Sequence, residues 1–158
     1  MHPATHRRSA SRLVLVLFAA VAFAVAACAS ASPTPTPVPS GPLELAGTRW
    51  VLIKYLSPSG EIVTVPSSVT PTAEFTADTM SGRAGCNTFN AGYTLDGDAF
   101  TLTGISSTMM ACEEPMASVE TAYLQALAVL DKAALLDDGN LQLWDAEGKT
   151  TLVYVKGS

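Results

Sequence analysis

Hydrophobic and polar residues alternate in short runs from residue 45 to residue 155, and turn-forming residues separate these runs. Alternation with a period of two is typical of β-strands that bury one face. In the first run, residues 45–56, it places Trp50 and Leu52 on one face and Tyr55 on the opposite face. Further strands are predicted at residues 61–65, 73–77, 80–84, 91–95, 99–105, 133–137, 141–144 and 150–155.

One segment between the strands has the periodicity of a helix. After the alternation stops near residue 108, Met116, Val119 and Tyr123 recur at spacings of three and four residues. This pattern predicts one amphipathic helix from Pro115 to about residue 131, with Glu120 off its buried stripe. The chain is therefore predicted to be mainly β with one helix. Its strands need two facing sheets or closure into a barrel to hide their edges.

The N-terminus has the pattern of an export signal. Arg7, Arg8 and Arg12 precede an apolar run at residues 13–27, which is shorter than the roughly 20 residues of a membrane-spanning helix. The run ends in Val-Ala-Ala-Cys at residues 25–28, which resembles the lipobox of bacterial lipoproteins. We therefore expect a signal peptide over residues 1–27, cleavage before Cys28 and a diacylglycerol on its thiol. The alternative is a secreted protein cut at the Ala-Val-Ala of residues 24–26, with Cys28 incidental.

The signal is followed by a tether and a single domain. Residues 28–42 are rich in Pro, Thr and Ser, and such a composition cannot bury enough apolar surface to fold. The remaining residues, 43–158, form one predicted domain of about 115 residues. This organisation predicts an exported protein, anchored by lipid to the bacterial membrane and facing outside the cytoplasm. The membrane is then a partner through the anchor on Cys28.

Charge and composition argue against several classes of function. Three of the nine Lys and Arg lie in the signal, so six remain against fourteen Asp and Glu, a net charge of −8. A surface of this sign repels nucleic acid. Both histidines, His2 and His6, also lie in the signal. A mature chain without histidine has no histidine general base, no Cys-His nucleophile and no histidine-ligated zinc. We therefore expect no enzymatic activity, no cofactor and no metal.

A set of motifs in the middle of the chain resembles a known family. The motifs are Ser81-Gly82, Gly85-Cys86-Asn87, Phe89-Asn90, Tyr93, Thr108-Met109-Met110-Ala111-Cys112, Glu120 and Leu124-Gln125-Ala126-Leu127. Together they resemble the META domain of the HslJ heat-shock type, over essentially the whole predicted domain. The resemblance implies a small, curved antiparallel sheet or partly closed β-barrel of about eight strands, with one α-helix packed on it. It also implies an envelope lipoprotein with a stress-response association, and it brings no catalytic residues.

The two cysteines of the predicted domain, Cys86 and Cys112, are candidates for a disulfide, because export would place them where disulfides persist. Closing a loop of about 26 residues stabilises a fold by up to about 3.5 kcal/mol in the chain-entropy model. The alternative is a redox-active or metal-binding thiol pair. The absence of histidine and of Cys-x-x-Cys spacing makes it the weaker interpretation.

The residues after the first cysteine form a candidate recognition loop: Asn87, Phe89, Asn90 and Tyr93. The structural alternative, which we favour for the asparagines, is that their side chains bond neighbouring backbone in a turn.

Methionines and acidic residues could also form sites. Met109, Met110 and Met116 could be a soft-metal or flexible hydrophobic site, but core packing under the helix is the simpler prediction. The aspartates at predicted hairpin turns lack the regular ligand alternation of a calcium loop, so we interpret them as turn formers. They are Asp96, Asp98, Asp137 and Asp138.

These observations favour a non-catalytic envelope lipoprotein with a single META domain. We expect a stress-associated monomer that binds an envelope protein. The first alternative is a small-ligand-binding barrel, which requires an internal cavity. The second is an inhibitor of an envelope protease that uses a rigid, disulfide-braced loop.

Overall fold

The computed structural model describes residues 43–158. The predicted signal peptide at residues 1–27, the predicted lipidation site Cys28 and the predicted tether at residues 28–42 lie outside the described residues. No helix within the described range has the length and apolarity needed to cross a membrane.

The described chain contains nine strands and one helix, close to the predicted segments. The strands are β1 (Arg49–Leu56), β2 (Ile62–Thr64), β3 (Thr72–Phe75), β4 (Thr79–Arg83), β5 (Thr88–Asp96), β6 (Ala99–Ser107), β7 (Leu130–Leu135), β8 (Leu141–Asp145) and β9 (Thr150–Lys156). The helix, α1, spans Met116–Leu127 and lies between β6 and β7 in the chain.

All strand pairs are antiparallel, and the sheet closes on itself. The order is β2-β1-β3-β4-β5-β6-β7-β8-β9, and β9 also pairs with β1. Eight strands therefore form a closed barrel, while β2 extends the sheet as a hairpin partner of β1. The predicted fold class, mainly β with about eight strands and one helix, is confirmed.

The first strand departs from the predicted alternation at Tyr55. Trp50 and Leu52 are buried as predicted, but Tyr55 is buried with them. The cause is a shift in register between Leu52 and Lys54, where β1 pairs with β9. A bulge inserts one extra residue and so reverses which face the following side chains occupy.

The helix packs its apolar side against the barrel and ends earlier than predicted. Its buried residues are Val119, Ala122, Tyr123, Ala126 and Leu127. The predicted end near residue 131 is wrong because β7 begins at Leu130 and pairs with Asp145 of β8. Leu130 continues the helical spacing of apolar residues, but it lies in strand β7 because it pairs with β8.

Side chains from all sides fill the interior of the barrel. Phe89 of β5, Tyr123 of α1 and Tyr154 of β9 form a chain of edge-to-face aromatic contacts. The Tyr154 hydroxyl donates a hydrogen bond to the Tyr123 hydroxyl at 2.8 Å. Both rings are fully buried, and burial raises the pKa of each phenol well above its usual range.

Candidate functional site

The predicted disulfide is present, and it joins the two halves of the central motif. Cys86 lies in the turn between β4 and β5, and Cys112 lies in the segment between β6 and α1. Their Cα atoms are 6.1 Å apart and their sulfurs are bonded.

Strand pairing brings the two cysteines together. β5 and β6 pair as far as Phe89 with Ser107. One residue further along, the Thr108 amide donates to the Thr88 carbonyl at 3.0 Å. The segment Thr108–Cys112, which we call the braced loop, therefore leaves β6 directly beside the turn that carries Cys86.

The side chain of Asn87 fixes the backbone of the braced loop. Its Oδ1 accepts hydrogen bonds from the Thr108 hydroxyl at 2.7 Å and from the Met110 amide at 2.8 Å. Its Nδ2 donates to the Met110 carbonyl at 3.0 Å and to Glu120 Oε1 at 2.7 Å. The Asn87 residue is only 2% exposed. A buried amide with all these partners holds the loop in one conformation.

Glu120 of α1 completes the arrangement from the other side. Its Oε2 accepts the Asn87 amide at 2.8 Å, so one carboxylate binds both the backbone and the side chain of Asn87. Gly85 permits this close approach, because a Cβ there would lie 2.7 Å from the Met116 carbonyl oxygen and 2.9 Å from Glu120 Cβ. The helix, the β4–β5 turn and the braced loop are thus locked together at one point.

Sequence reasoning missed the role of Glu120. The helical periodicity placed it off the buried stripe, whereas the structure half-buries it. A signal was available, since Glu120 is the single charged residue of α1.

The methionines of the braced loop point into solvent. The side chains of Met109 and Met110 are 95% and 61% exposed, so the prediction that they pack under the helix is wrong. Asn87 binds the backbone of Met110, which directs that backbone inward and leaves the side chain outside. Met116 does pack partly against the core, as predicted.

The structure does not bring the four residues of the predicted recognition loop to one surface. Asn87 and Phe89 are buried, while Asn90 is exposed. Tyr93 is half-buried and donates its hydroxyl to the Thr76 carbonyl at 2.9 Å. The exposed apolar side chains beside the disulfide belong instead to the braced loop.

One group of potential metal ligands occurs among residues 43–158. The ligand atoms of Cys86, Cys112 and Glu120 lie within 4.8 Å of one another. With the two sulfurs bonded to each other, neither cysteine offers the thiolate that a metal requires.

Asp138 acts as a turn former, as predicted for the hairpin aspartates, because its carboxylate accepts hydrogen bonds from the backbone and side-chain amides of Asn140.

Comparisons with known proteins identify the family. The model of the META domain matches residues 43–157. An NMR structure of a protein from Burkholderia xenovorans is similar, with a TM-score of 0.62 and 26% identity over 80% of this chain and 97% of that one. A second protein solved by NMR has a TM-score of 0.51 and 26% identity, over 70% of this chain and 90% of the other. No curated protein matches the sequence. The match of this family model over residues 43–157 shows that the chain belongs to the META domain family.

Proposed function

We propose that this protein is a non-catalytic lipoprotein of the bacterial envelope, anchored through Cys28, whose META domain binds another envelope protein through the braced loop. Its role is stress-associated, and it acts as a monomer that presents a binding surface.

The observation that carries this proposal is the exposure of Met109 and Met110 on a rigid support. The disulfide and the Asn87 hydrogen bonds hold the backbone of the loop, yet both thioether side chains lie in solvent. Exposed apolar side chains carry a solvation cost and are typical of interaction sites. Methionine adapts to irregular partner surfaces, and a rigid backbone lowers the entropy lost on binding.

Several features support binding over catalysis. Residues 43–158 contain no histidine. The one carboxylate that lies at the site, Glu120, is already occupied by two donors from Asn87. These two hydrogen bonds support a structural role for this carboxylate.

The interior of the barrel argues against the small-ligand carrier. A carrier needs an enclosed apolar cavity, but the barrel is filled by one continuous cluster of buried side chains. The grooves described on the domain are open to solvent, with volumes of about 350, 380 and 410 Å³. A protease inhibitor would use the same braced loop, so it is one class of partner within this proposal.

Crosslinking from the braced loop tests the proposal. The photoreactive residue p-benzoylphenylalanine replaces Met109 in the full chain, expressed in its native envelope. The matched control carries the same residue at Ile62 of β2, an exposed apolar side chain outside the loop. We expect position 109, and not position 62, to crosslink to one specific envelope protein. The intact mass of the same preparation shows whether the chain begins at a diacylated Cys28.

Equal labelling from both positions, or none from either, would contradict the proposed role of the loop. A specific crosslink to a protease, combined with inhibition of that protease by the purified protein, would identify the partner class as an inhibited enzyme.

A further inference from the structure

We propose that the outer edge of β6, residues 101–107, is the docking site for an extended segment of the partner, which adds to the barrel as one more strand. The segment has an uncharged middle and Lys or Arg at its ends. This inference rests on the proposed function and specifies the chemistry of the partner.

Within the described domain, most of β6 pairs with β5 on one side and with no strand on the other, which leaves a free edge. Its pairing with β5 runs along the whole strand, from Ala99 with Asp96 to Ser107 with Phe89. Its pairing with β7 consists of a single residue pair, Ala99 with Lys132. Among residues 43–158, the part of β6 beyond Ala99 therefore has a strand neighbour on one side only.

Backbone hydrogen-bonding groups point outward along this edge. The Thr108 amide donates toward β5, to the carbonyl of Thr88. Successive residues of an antiparallel strand direct their backbone groups to opposite sides. We therefore expect the backbone groups of Ser107, and those of Ile105 next to the register shift, to face away from β5. All residues from Thr103 to Ser107 are exposed. These groups offer an added strand donors and acceptors that the barrel does not use.

The edge strand carries neither a charge nor a proline, two of the features that proteins use to block strand addition. Neither occurs anywhere in residues 99–112. The exposed side chain of Ile105 adds an apolar contact on the edge itself. The braced loop follows directly after Ser107, so its exposed methionines are neighbours of the edge in the chain.

Charges at the two ends of the edge indicate what the partner segment carries. Asp96 and Asp98 lie at one end of β6, and Glu113 and Glu114 follow the braced loop at the other. All four residues are exposed. Two acidic pairs around an uncharged strand are complementary to a segment with a neutral centre and basic ends.

A second copy of this chain fits the edge poorly. The described domain carries six Lys and Arg against fourteen Asp and Glu, so two copies repel each other. The edge also bends at Gly104, whose φ of +63° accompanies a shift in register against β5. Two identical bends would oppose one another in a symmetric pair, whereas an unrelated short segment can adapt to one.

A peptide titration of the ¹⁵N-labelled full chain tests the proposal by NMR. The probe is the nonapeptide Lys-Thr-Val-Thr-Val-Thr-Val-Thr-Lys. We expect the largest shifts at the Ile105 and Ser107 amides. Ile105→Lys should weaken binding by at least about threefold, because it removes a cross-strand apolar contact and adds a repelled charge. Ile62→Lys is the matched control, since Ile62 is 38% exposed and Ile105 is 36% exposed; it should leave the dissociation constant unchanged.

Two altered peptides separate strand pairing from non-specific adhesion. Methylation of alternate backbone amides removes the donors and should abolish the shifts, while Glu in place of both terminal Lys residues should weaken binding. The proposal is overturned if the methylated peptide binds equally, if Ile62→Lys weakens binding as much as Ile105→Lys, or if the β6 amides do not shift. A specific crosslink from position 109 without shifts in β6 would preserve the proposed function and exclude this edge. Shifts in β6 without any crosslink from position 109 would support this edge as a docking site and contradict the proposed role of the braced loop.

Discussion

At the scale of single residues, Asn87 determines the geometry of the candidate site. Its side chain binds the Thr108 hydroxyl, both backbone groups of Met110 and the Glu120 carboxylate. Sequence reasoning attributed this asparagine to local turn formation. Its partners lie more than 20 positions away in the chain, so neither spacing nor residue type could identify them.

Replacing Asn87 should therefore destabilise the domain more than replacing its exposed neighbour. Asn87→Ala removes a buried amide and its hydrogen bonds to Thr108, Met110 and Glu120, and we expect the free energy of unfolding to fall by about 3 kcal/mol. Asn90→Ala is the matched control and should change it by less than about 0.5 kcal/mol, because that side chain is exposed. Urea denaturation followed by circular dichroism measures both. A loss below 1 kcal/mol at Asn87 would show that the hydrogen bonds do not hold the loop.

At the scale of elements, alternation along the chain located all nine strands to within a few residues, because most of them bury one face and expose the other. It failed where pairing partners decide the outcome. The face on which Tyr55 lies is set by a bulge where β1 pairs with β9. The end of α1 is set by the pairing of β7 with β8, which begins at Leu130. The exposure of the braced loop could not be predicted either, since hydrophobicity alone assigns methionine to a core.

The disulfide should contribute to stability and leave the fold intact. It closes a loop with a sequence separation of 26 residues, for which the chain-entropy model gives about 3.5 kcal/mol. We expect the double variant Cys86→Ala and Cys112→Ala to lose about 2 to 3.5 kcal/mol of unfolding free energy. It should keep its native circular dichroism spectrum, because the Asn87 hydrogen bonds remain. An unfolded double variant would indicate that these hydrogen bonds cannot place the loop alone.

At the scale of the whole molecule, the barrel interior depends on a buried, neutral pair of tyrosines. Tyr123 of α1 and Tyr154 connect the helix to strand β9 of the barrel through one hydrogen bond. Both phenols are fully buried, so ionising either one in the folded state is unfavourable.

This pair should make stability depend on alkaline pH. The folded-state pKa of each phenol is raised above the unfolded value of 10.0. Below pH 10 the two phenols stay protonated in both states, so the free energy of unfolding does not depend on their titration. Above pH 10 the unfolded chain releases protons that the folded chain retains. For each tyrosine we expect the free energy of unfolding to fall by about 1.4 kcal/mol per pH unit above pH 10. Urea denaturation between pH 8 and pH 11 should show a shallower decline for Tyr123→Phe with Tyr154→Phe than for the wild type. Identical slopes would contradict this role.

The hydrogen bonds that hold Glu120 determine how the braced loop responds to ionic strength. Among the described residues Glu120 has no ion-pair partner, and its carboxylate is bound by the neutral amides of Asn87. Dissolved salt screens opposite charges such as the exposed Arg49–Glu74 pair, but it has little effect on short, half-buried hydrogen bonds to neutral donors. We therefore expect the braced loop to keep one geometry from low to high ionic strength. That property supports the binding role that we propose for this loop.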